Sequence, residues 1–245
     1  AKGAQLLKDL KLNSDCKFIC FAARSGDFKN EKITSTRNSD INKQFKAIKF
    51  LTSKNYKAVR LGKNNVSKIK WSNDNIIDIS FDKNKSDFLD LYLMSKCQFF
   101  LTSQSGINYI ATLLRKKRLI TNYYNFNLLH HEALDLTPII LPKKFISKKT
   151  NTAISYLDVF QKKILLNENL ESLREKNFDL CENTDLEIEN ETINMYLYNE
   201  NKLDIKTLKD KQKNFWNSHF KYFNVDTRDM IICPTFFEQN MNLFE

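Results

Sequence analysis

The feature that most restricts this chain is a short, almost unbroken apolar run, Lys17-Phe-Ile-Cys-Phe-Ala-Ala23. Seven residues are too few for a packed helix. A strand apolar on both sides must be covered on both faces, which is the condition of a parallel sheet clothed by helices. Similar runs follow at Tyr56-Lys-Ala-Val-Arg-Leu61, ending at Gly62, at Ile76-Ile-Asp-Ile79, at Cys97-Gln-Phe-Phe-Leu101 and at Arg118-Leu-Ile-Thr121, ending near Asn122. Between them the apolar residues recur at helical spacing. Ile41, Phe45, Ile48 and Leu51 share one face, with Asp40 at the start, and Phe88, Leu89, Tyr92 and Leu93 share another, with Ser86 as N-cap. Residues 107–114 form a third helical segment. Strand alternating with helix predicts right-handed βαβ units. The expected fold is therefore α/β: a Rossmann-like open parallel sheet covered by helices, occupying residues 1–149.

Residues 150–245 read as a mostly helical C-terminal extension packing on that sheet. Helices are predicted over 152–163, 184–199 and 205–223, with a short last one over 236–244. Asn183 or Thr184 caps the second of these, and the aromatics of Asn214-Phe-Trp-Asn-Ser anchor the layer. The acidic runs 168–175 and 182–191 read as exposed helix faces. No linker separates the two parts, and no repeat is visible.

Composition removes several function classes. With 245 residues, of which 42% are hydrophobic, the chain has material for a core, and no window approaches the ~20 apolar residues of a membrane span. Five cysteines, without a CxxC and without metal-type spacing to the three histidines, suit a reducing compartment. The opening Ala-Lys-Gly lacks the zones of a signal peptide and is what a processed product or the C-terminal piece of a longer chain shows. His130-His131-Glu132 reads as a solvated loop, since adjacent histidines rarely converge on one ion. The marks of P-loop, GxGxxG, GxSxG and HExxH chemistry are absent.

Charge is uneven. Residues 1–149 carry 28 basic against 12 acidic residues, and 150–245 carry 11 against 17. A basic first part attracts an anion, although a compositional bias toward Lys and Asn gives a second reading of the same excess. Nucleic acid would ask for exposed aromatics among the basic residues, or for a recognition helix. Neither is visible, and no nucleic acid is expected.

Open α/β sheets bind ligands beyond the carboxyl ends of their strands. That rule selects Arg24, Ser25, Gly26 and Asp27 after the first strand, Arg60, Leu61 and Gly62 after the second, Ser103, Gln104, Ser105 and Gly106 after the fourth, and Asn122 after the fifth. The guanidinium fork of arginine clamps phosphate oxygens, and a surface ion pair is the competing reading for each arginine. Ser103-Gln-Ser-Gly106 places helix-start amides and hydroxyls at the ligand edge, as a diphosphate requires, or simply caps the helix. Arg37 and Asn38 project from the loop facing the same edge, whereas Ser39 and Asp40 read as caps. Asp78 caps a turn or joins the site. No catalytic residue is assigned, and Asp27 is the sole local candidate for a base.

These motifs, in order, resemble a family of bacterial glycosyltransferases of surface-polysaccharide gene sets. The resemblance is carried by Arg37-Asn-Ser-Asp-Ile41, Ala47-Ile48, Leu51, Tyr56-Lys-Ala-Val-Arg-Leu-Gly62, Ile76-Ile-Asp78, Ser86-Asp-Phe-Leu-Asp-Leu-Tyr-Leu93, Cys97-Gln-Phe-Phe-Leu-Thr-Ser-Gln-Ser-Gly106, Asn122, residues 139–144, Asp185 to Ile188 and residues 236–244. It implies the C-terminal, donor-binding half of a GT-B-like enzyme, preceded by an N-terminal domain. It further implies a nucleotide-diphosphate sugar as substrate with no other cofactor and no metal, and a glycan or lipid-linked acceptor. The location implied is cytoplasmic, peripheral at the inner face of the membrane. Arg24, Arg37, Asn38, Arg60, Gly62, Ser103, Gln104, Ser105, Gly106 and Asn122 would bind substrate. The family has Arg followed directly by Asp after the first strand. Here Ser25 and Gly26 intervene before Asp27, which leaves the role of that acid open. The alternatives are a non-catalytic basic module that binds nucleic acid or anionic polymer, and a degenerate lobe that scaffolds a partner enzyme.

Overall fold

A computed structural model describes residues 2–12, 15–24, 35–62, 68–71, 73–82, 85–126, 137–164, 169–224 and 230–245. Asp27, Ser25, Gly26 and the His130-His131 pair lie outside the described residues.

The central sheet has seven strands. Six come in sequence: β1 (Phe18–Phe21), β2 (Lys57–Arg60), β3 (Ile76–Asp78), β4 (Phe100–Ser103), β5 (Arg118–Tyr123) and β6 (Ile139–Pro142). Three further strands, β7 (Lys144–Ser147), β8 (Thr152–Ala153) and β9 (Phe178–Cys181), make a small antiparallel sheet of their own. The chain then returns to the main sheet as β10 (Ile231–Ile232), beside β6. Every pairing in the main sheet is parallel. Across the sheet the order is β3-β2-β1-β4-β5-β6-β10. The chain builds outward from β1 in one direction, then reverses at β4. The fold is Rossmann-like α/β, and the reversal lies between β1 and β4.

Alternation along the strands sorts the core. Phe18 and Cys20 of β1 join Val59, Phe100 and Leu12 on one face, beneath α1 (Lys2–Asp9), α3 (Asp87–Lys96) and α4 (Gly106–Leu113). Ile19 and Phe21 point the other way, toward α2 (Phe45–Ser53), α5 (Tyr156–Gln161), α7 (Asp185–Asn199), α8 (Ile205–Phe223) and α9 (Pro234–Gln239). A further short helix, α6 (Leu170–Glu175), leads into β9. Phe215 and Trp216 of α8 are buried, as the aromatic anchor requires, and burial of each is worth about 1.5–3 kcal/mol. The caps follow the sequence. Ser86 accepts from Leu89 N, and Asp40 accepts from Asn42 N, opening a 3-10 turn before α2. Thr184 and Glu187 form a capping box at α7.

Several expectations are corrected. The fourth strand begins at Phe100, not Cys97. Cys97 ends α3, its N–H bonded to Leu93 O at 2.9 Å, so the apolar run serves a helix end and a strand in turn. Residues 152–163 divide into β8 and α5. β6 and β10 add two strands to the five expected, and residues 2–9 add a helix. Both sheets cross residue 149: β7 pairs with β8 and β9, and β10 completes the main sheet. The extension therefore contributes strands as well as helices. Glu191 is no exposed residue of an acidic face but is buried, accepting from Phe236 N at 2.6 Å and from Asn194 Nδ2 at 2.8 Å.

Candidate functional site

The strand order reverses between β1 and β4, and at the carboxyl ends of two such strands an open α/β sheet forms its ligand crevice. The strand ends are stitched directly across it. Arg24 N donates to Ser103 Oγ at 2.8 Å, and Arg24 O accepts from Ser39 N at 2.9 Å. Ser39 Oγ accepts from Asn122 Nδ2 at 2.8 Å. Arg24, Ser103, Ser39 and Asn122 are thus one hydrogen-bonded chain spanning β1, β4, β5 and the loop before α2.

Their roles within that chain differ. Ser103 and Asn122 are fully buried. Asn122 sits at φ 53°, a left-handed conformation that Asn tolerates, and pairs reciprocally with Asn183. Asn122 N donates to Asn183 Oδ1 at 2.6 Å, and Asn183 N donates to Asn122 Oδ1 at 2.8 Å. Both ends of the Asn122 side chain are therefore engaged within the fold, and it shapes the rim. Gln104 is also buried, its Oε1 receiving Tyr124 N and Asn125 N at 3.4 Å each. Ser105 and Gly106 are the open part. Ser105 is the N-cap of α4 without a side-chain cap bond, and a Cβ built on Gly106 would meet nothing within 4 Å. Among the described residues, the space beside Gly106 at the start of α4 is open, an arrangement suited to an anion.

Arg60 lies at the end of β2, as the sequence suggested, and makes an ion pair, the competing reading for each arginine. It ends β2 level with Phe21 of β1 and Asp78 of β3. That register brings its guanidinium against the Asp78 carboxylate at 3.0 Å, with the Arg60 side chain 3% exposed. Asp78 Oδ1 also accepts from Ser80 N at 3.0 Å and from Ser80 Oγ. The pair ties β2 to β3. Gly62, two residues on, has φ 142°, a conformation that side chains rarely adopt, so the turn after β2 requires glycine there. Arg37 and Asn38 lie in the 35–39 turn at the rim, both partly exposed. Arg37 makes no side-chain hydrogen bond or ion pair among the described residues.

Sequence reasoning missed three residues here. Ser39 was read as a helix cap and Asn183 as another, whereas both knit the rim. Lys143 was lost among 32 lysines. It is 3% exposed and its Nζ donates to Thr36 O at 2.9 Å and to Asn38 O at 2.8 Å. Burial lowers its pKa to about 8, partly offset by Glu182. Lys143 directly follows β6, which is not among the five expected strands, so no local signal marked it.

The charge imbalance has an internal answer. Lys43 pairs with Glu182 at 3.1 Å, Lys46 with Asp185 at 3.1 Å, Lys144 with Glu187 at 3.0 Å and Lys17 with Glu200 at 3.3 Å. The basic first part and the acidic later part partner each other around α7. Among the described residues no group of three or more His, Cys, Asp or Glu is arranged to hold a metal ion, and no helix is long and apolar enough to cross a membrane.

No protein-family model and no curated protein matches this chain. Two solved structures resemble part of it. The Escherichia coli ADP-heptose LPS heptosyltransferase II is 12% identical with a TM-score of 0.40, over 51% of this chain and 38% of that one. A family 9 glycosyl transferase from Veillonella parvula DSM 2008 is 12% identical with a TM-score of 0.39, over 50% and 34%. The matched region spans little more than a third of either protein. A likeness this distant carries no weight for activity, and the site's own geometry has to supply the argument.

Proposed function

We propose that this chain is a glycosyltransferase, or the donor-binding half of one, and that it holds a nucleoside-diphosphate sugar at the β1/β4 crevice for transfer to a glycan or lipid-linked acceptor. The observation that carries this reading is the open first turn of α4 at Ser105 and Gly106, set across the sheet reversal from Arg24 by the bond from Arg24 N to Ser103 Oγ. A diphosphate carries the charge that such an end favours. As the bond from sugar to phosphate breaks, negative charge grows on the leaving diphosphate. Amides and a guanidinium fixed beforehand stabilise that charge by several kcal/mol. Arg24 and the α4 amides take that role, and Arg37 and Asn38 reach the donor from the neighbouring turn. Arg60 supports the β2 end by its pair with Asp78. No base is assigned from the described residues.

The reading as a basic module for an anionic polymer is weakened by the four surface ion pairs that set lysines against acids in and beside α7. Calorimetric titration with UDP, GDP and CMP distinguishes the two. The transferase reading expects saturable one-site binding of at least one of them, weakened at least tenfold by Arg24→Ala. A folded protein that binds none of them, yet binds a polyanion with steep salt dependence, contradicts it.

A further inference from the structure

Lys143 is an expensive residue in an unexpected place. Its backbone is pinned on both sides, with its N–H on Tyr123 O at 2.7 Å and its carbonyl accepting from Tyr156 OH at 3.1 Å. Its ammonium is almost wholly out of water and meets no carboxylate at hydrogen-bond distance among the described residues. It donates instead to two main-chain carbonyls, Thr36 O and Asn38 O. Burying an ammonium is costly, and only well-placed acceptors offset that cost. An apolar residue of similar length would fill the same space at less cost but would withdraw a donor from two carbonyls.

Those two carbonyls flank one residue, Arg37. The turn that carries it is held at further points: Asn38 N donates to Ser35 O at 3.1 Å, Ser39 N to Arg24 O at 2.9 Å, and Asn122 Nδ2 to Ser39 Oγ at 2.8 Å. Lys143 is the one charged group in this set. It grips the 36–37 and 38–39 peptide units, one before Arg37 and one after Asn38, and so fixes where that guanidinium can reach.

We propose that Lys143 is a positioning residue, a buried amine latch that holds the 35–39 turn closed at the rim of the β1/β4 crevice and thereby presents Arg37 to a bound diphosphate. The latch itself is a statement about the fold. Its consequence for ligand binding rests on the proposed function. The charged and titratable groups around the ammonium are Glu182, which favours its charge, Lys43, which opposes it, and Cys181. Burial lowers the Lys143 pKa to about 8, and the neutral amine above that value still has two N–H donors for the two carbonyls. Opening the turn carries the same sign as unfolding the chain, since either returns the amine to water. A lysine whose pKa is lower in the fold than its ordinary 10.5 contributes stability present above 10.5 and lost as pH falls through 8. Raising the pH from 7 to 9 therefore tightens the turn by about tenfold, a signature that a lysine already in water does not give.

The test is amide hydrogen exchange at Asn38 and Ser39, corrected for the intrinsic effect of pH. In the wild-type chain, protection at these two amides is expected to rise about tenfold between pH 7 and 9, while amides within α8 keep theirs. In Lys143→Met the same two amides are expected to exchange at least tenfold faster at pH 7 and to lose their extra pH dependence. Unchanged protection at Asn38 and Ser39 in the variant, or protection in the wild type that follows intrinsic exchange alone, overturns the latch. The wild-type pH series stands even if the variant does not fold. Titration of inorganic pyrophosphate into the same samples separates the two claims. Loosened amides with about tenfold weaker pyrophosphate binding support both. Loosened amides in a protein that never binds pyrophosphate keep the latch and remove the nucleotide reading.

Discussion

Two ends of the same sheet each offer an arginine just at or after a strand, and they have opposite fates. At the β2 end, Arg60 is in register with Asp78 on β3, and the two close on each other inside the fold. At the β1 end, Arg24 is in the break between β1 and β4, where its backbone holds the rim together and its neighbours Ser105 and Gly106 face open space. Position at a carboxyl end is not enough to make an arginine a ligand group. An acid at the matching register of the next strand captures it. At the β1 end the strand order reverses, so among the described residues no neighbouring strand of the sheet sets an acid at the register of Arg24.

The sharpest way to break this contrast is to remove the two arginines separately. Arg60→Ala leaves the Asp78 carboxylate without its partner, and a loss of about 3–5 kcal/mol in denaturant-unfolding stability is expected. Arg24→Ala is expected to cost far less stability and to act on nucleotide binding instead. Equal stability losses from the two substitutions would erase the distinction between a closed edge and an open crevice.

A second closed charge gives the next effect in size. Burial raises the Glu191 pKa to about 7, above the 4.5 of an ordinary glutamate. The ionised form is thus disfavoured in the fold. The contribution is fully present below 4.5 and is lost as pH rises through 7, a decline of about 3 kcal/mol across that window. Urea unfolding from pH 4.5 to 7.5 should show this decline in the wild type and a flatter profile in Glu191→Gln. A wild-type stability that rises over the same range through Glu191 would contradict the burial argument.

The glycines separate the two ends most finely. Gly62 at φ 142° has no room in conformational space for a side chain, and Gly62→Ala should cost about 1–2 kcal/mol. Gly106 begins a helix with nothing near its missing Cβ, so Gly106→Ala should be neutral or stabilise by up to about 0.5 kcal/mol. Thermal unfolding of the pair reads both, and a reversed order would mean that the turn after β2 and the crevice have been exchanged in this account.

What the sequence made legible follows from where the information is local. β1 and β2 are visible because continuous apolar runs are needed on a strand covered twice, and the α3 and α7 starts are visible because Ser86 and Thr184 cap them within four residues. β10 is two residues long and acquires its identity only by lying beside β6, some ninety positions earlier, so no local pattern announces it. Glu191 looks like one more acid on an acidic helix until α9 brings the N–H of Phe236 onto it. The same reason hid the rim: Asn183 and Ser39 have the residue types of caps, and only tertiary pairing with Asn122 gives them another task. The Arg60–Asp78 pair, by contrast, was within reach of the sequence, since parallel register places the two strand ends side by side.

The central claim is that the β1/β4 crevice receives a diphosphate, and amide chemical-shift mapping during a UDP titration tests it most directly. The account expects saturable shifts concentrated at Arg24, Ser103, Gly106 and Ile107, with the amides of Arg60 and Asp78 changing little. Saturable shifts centred on the β2–β3 edge, or spread along α8 with no change at Gly106, would place the anion elsewhere and contradict it.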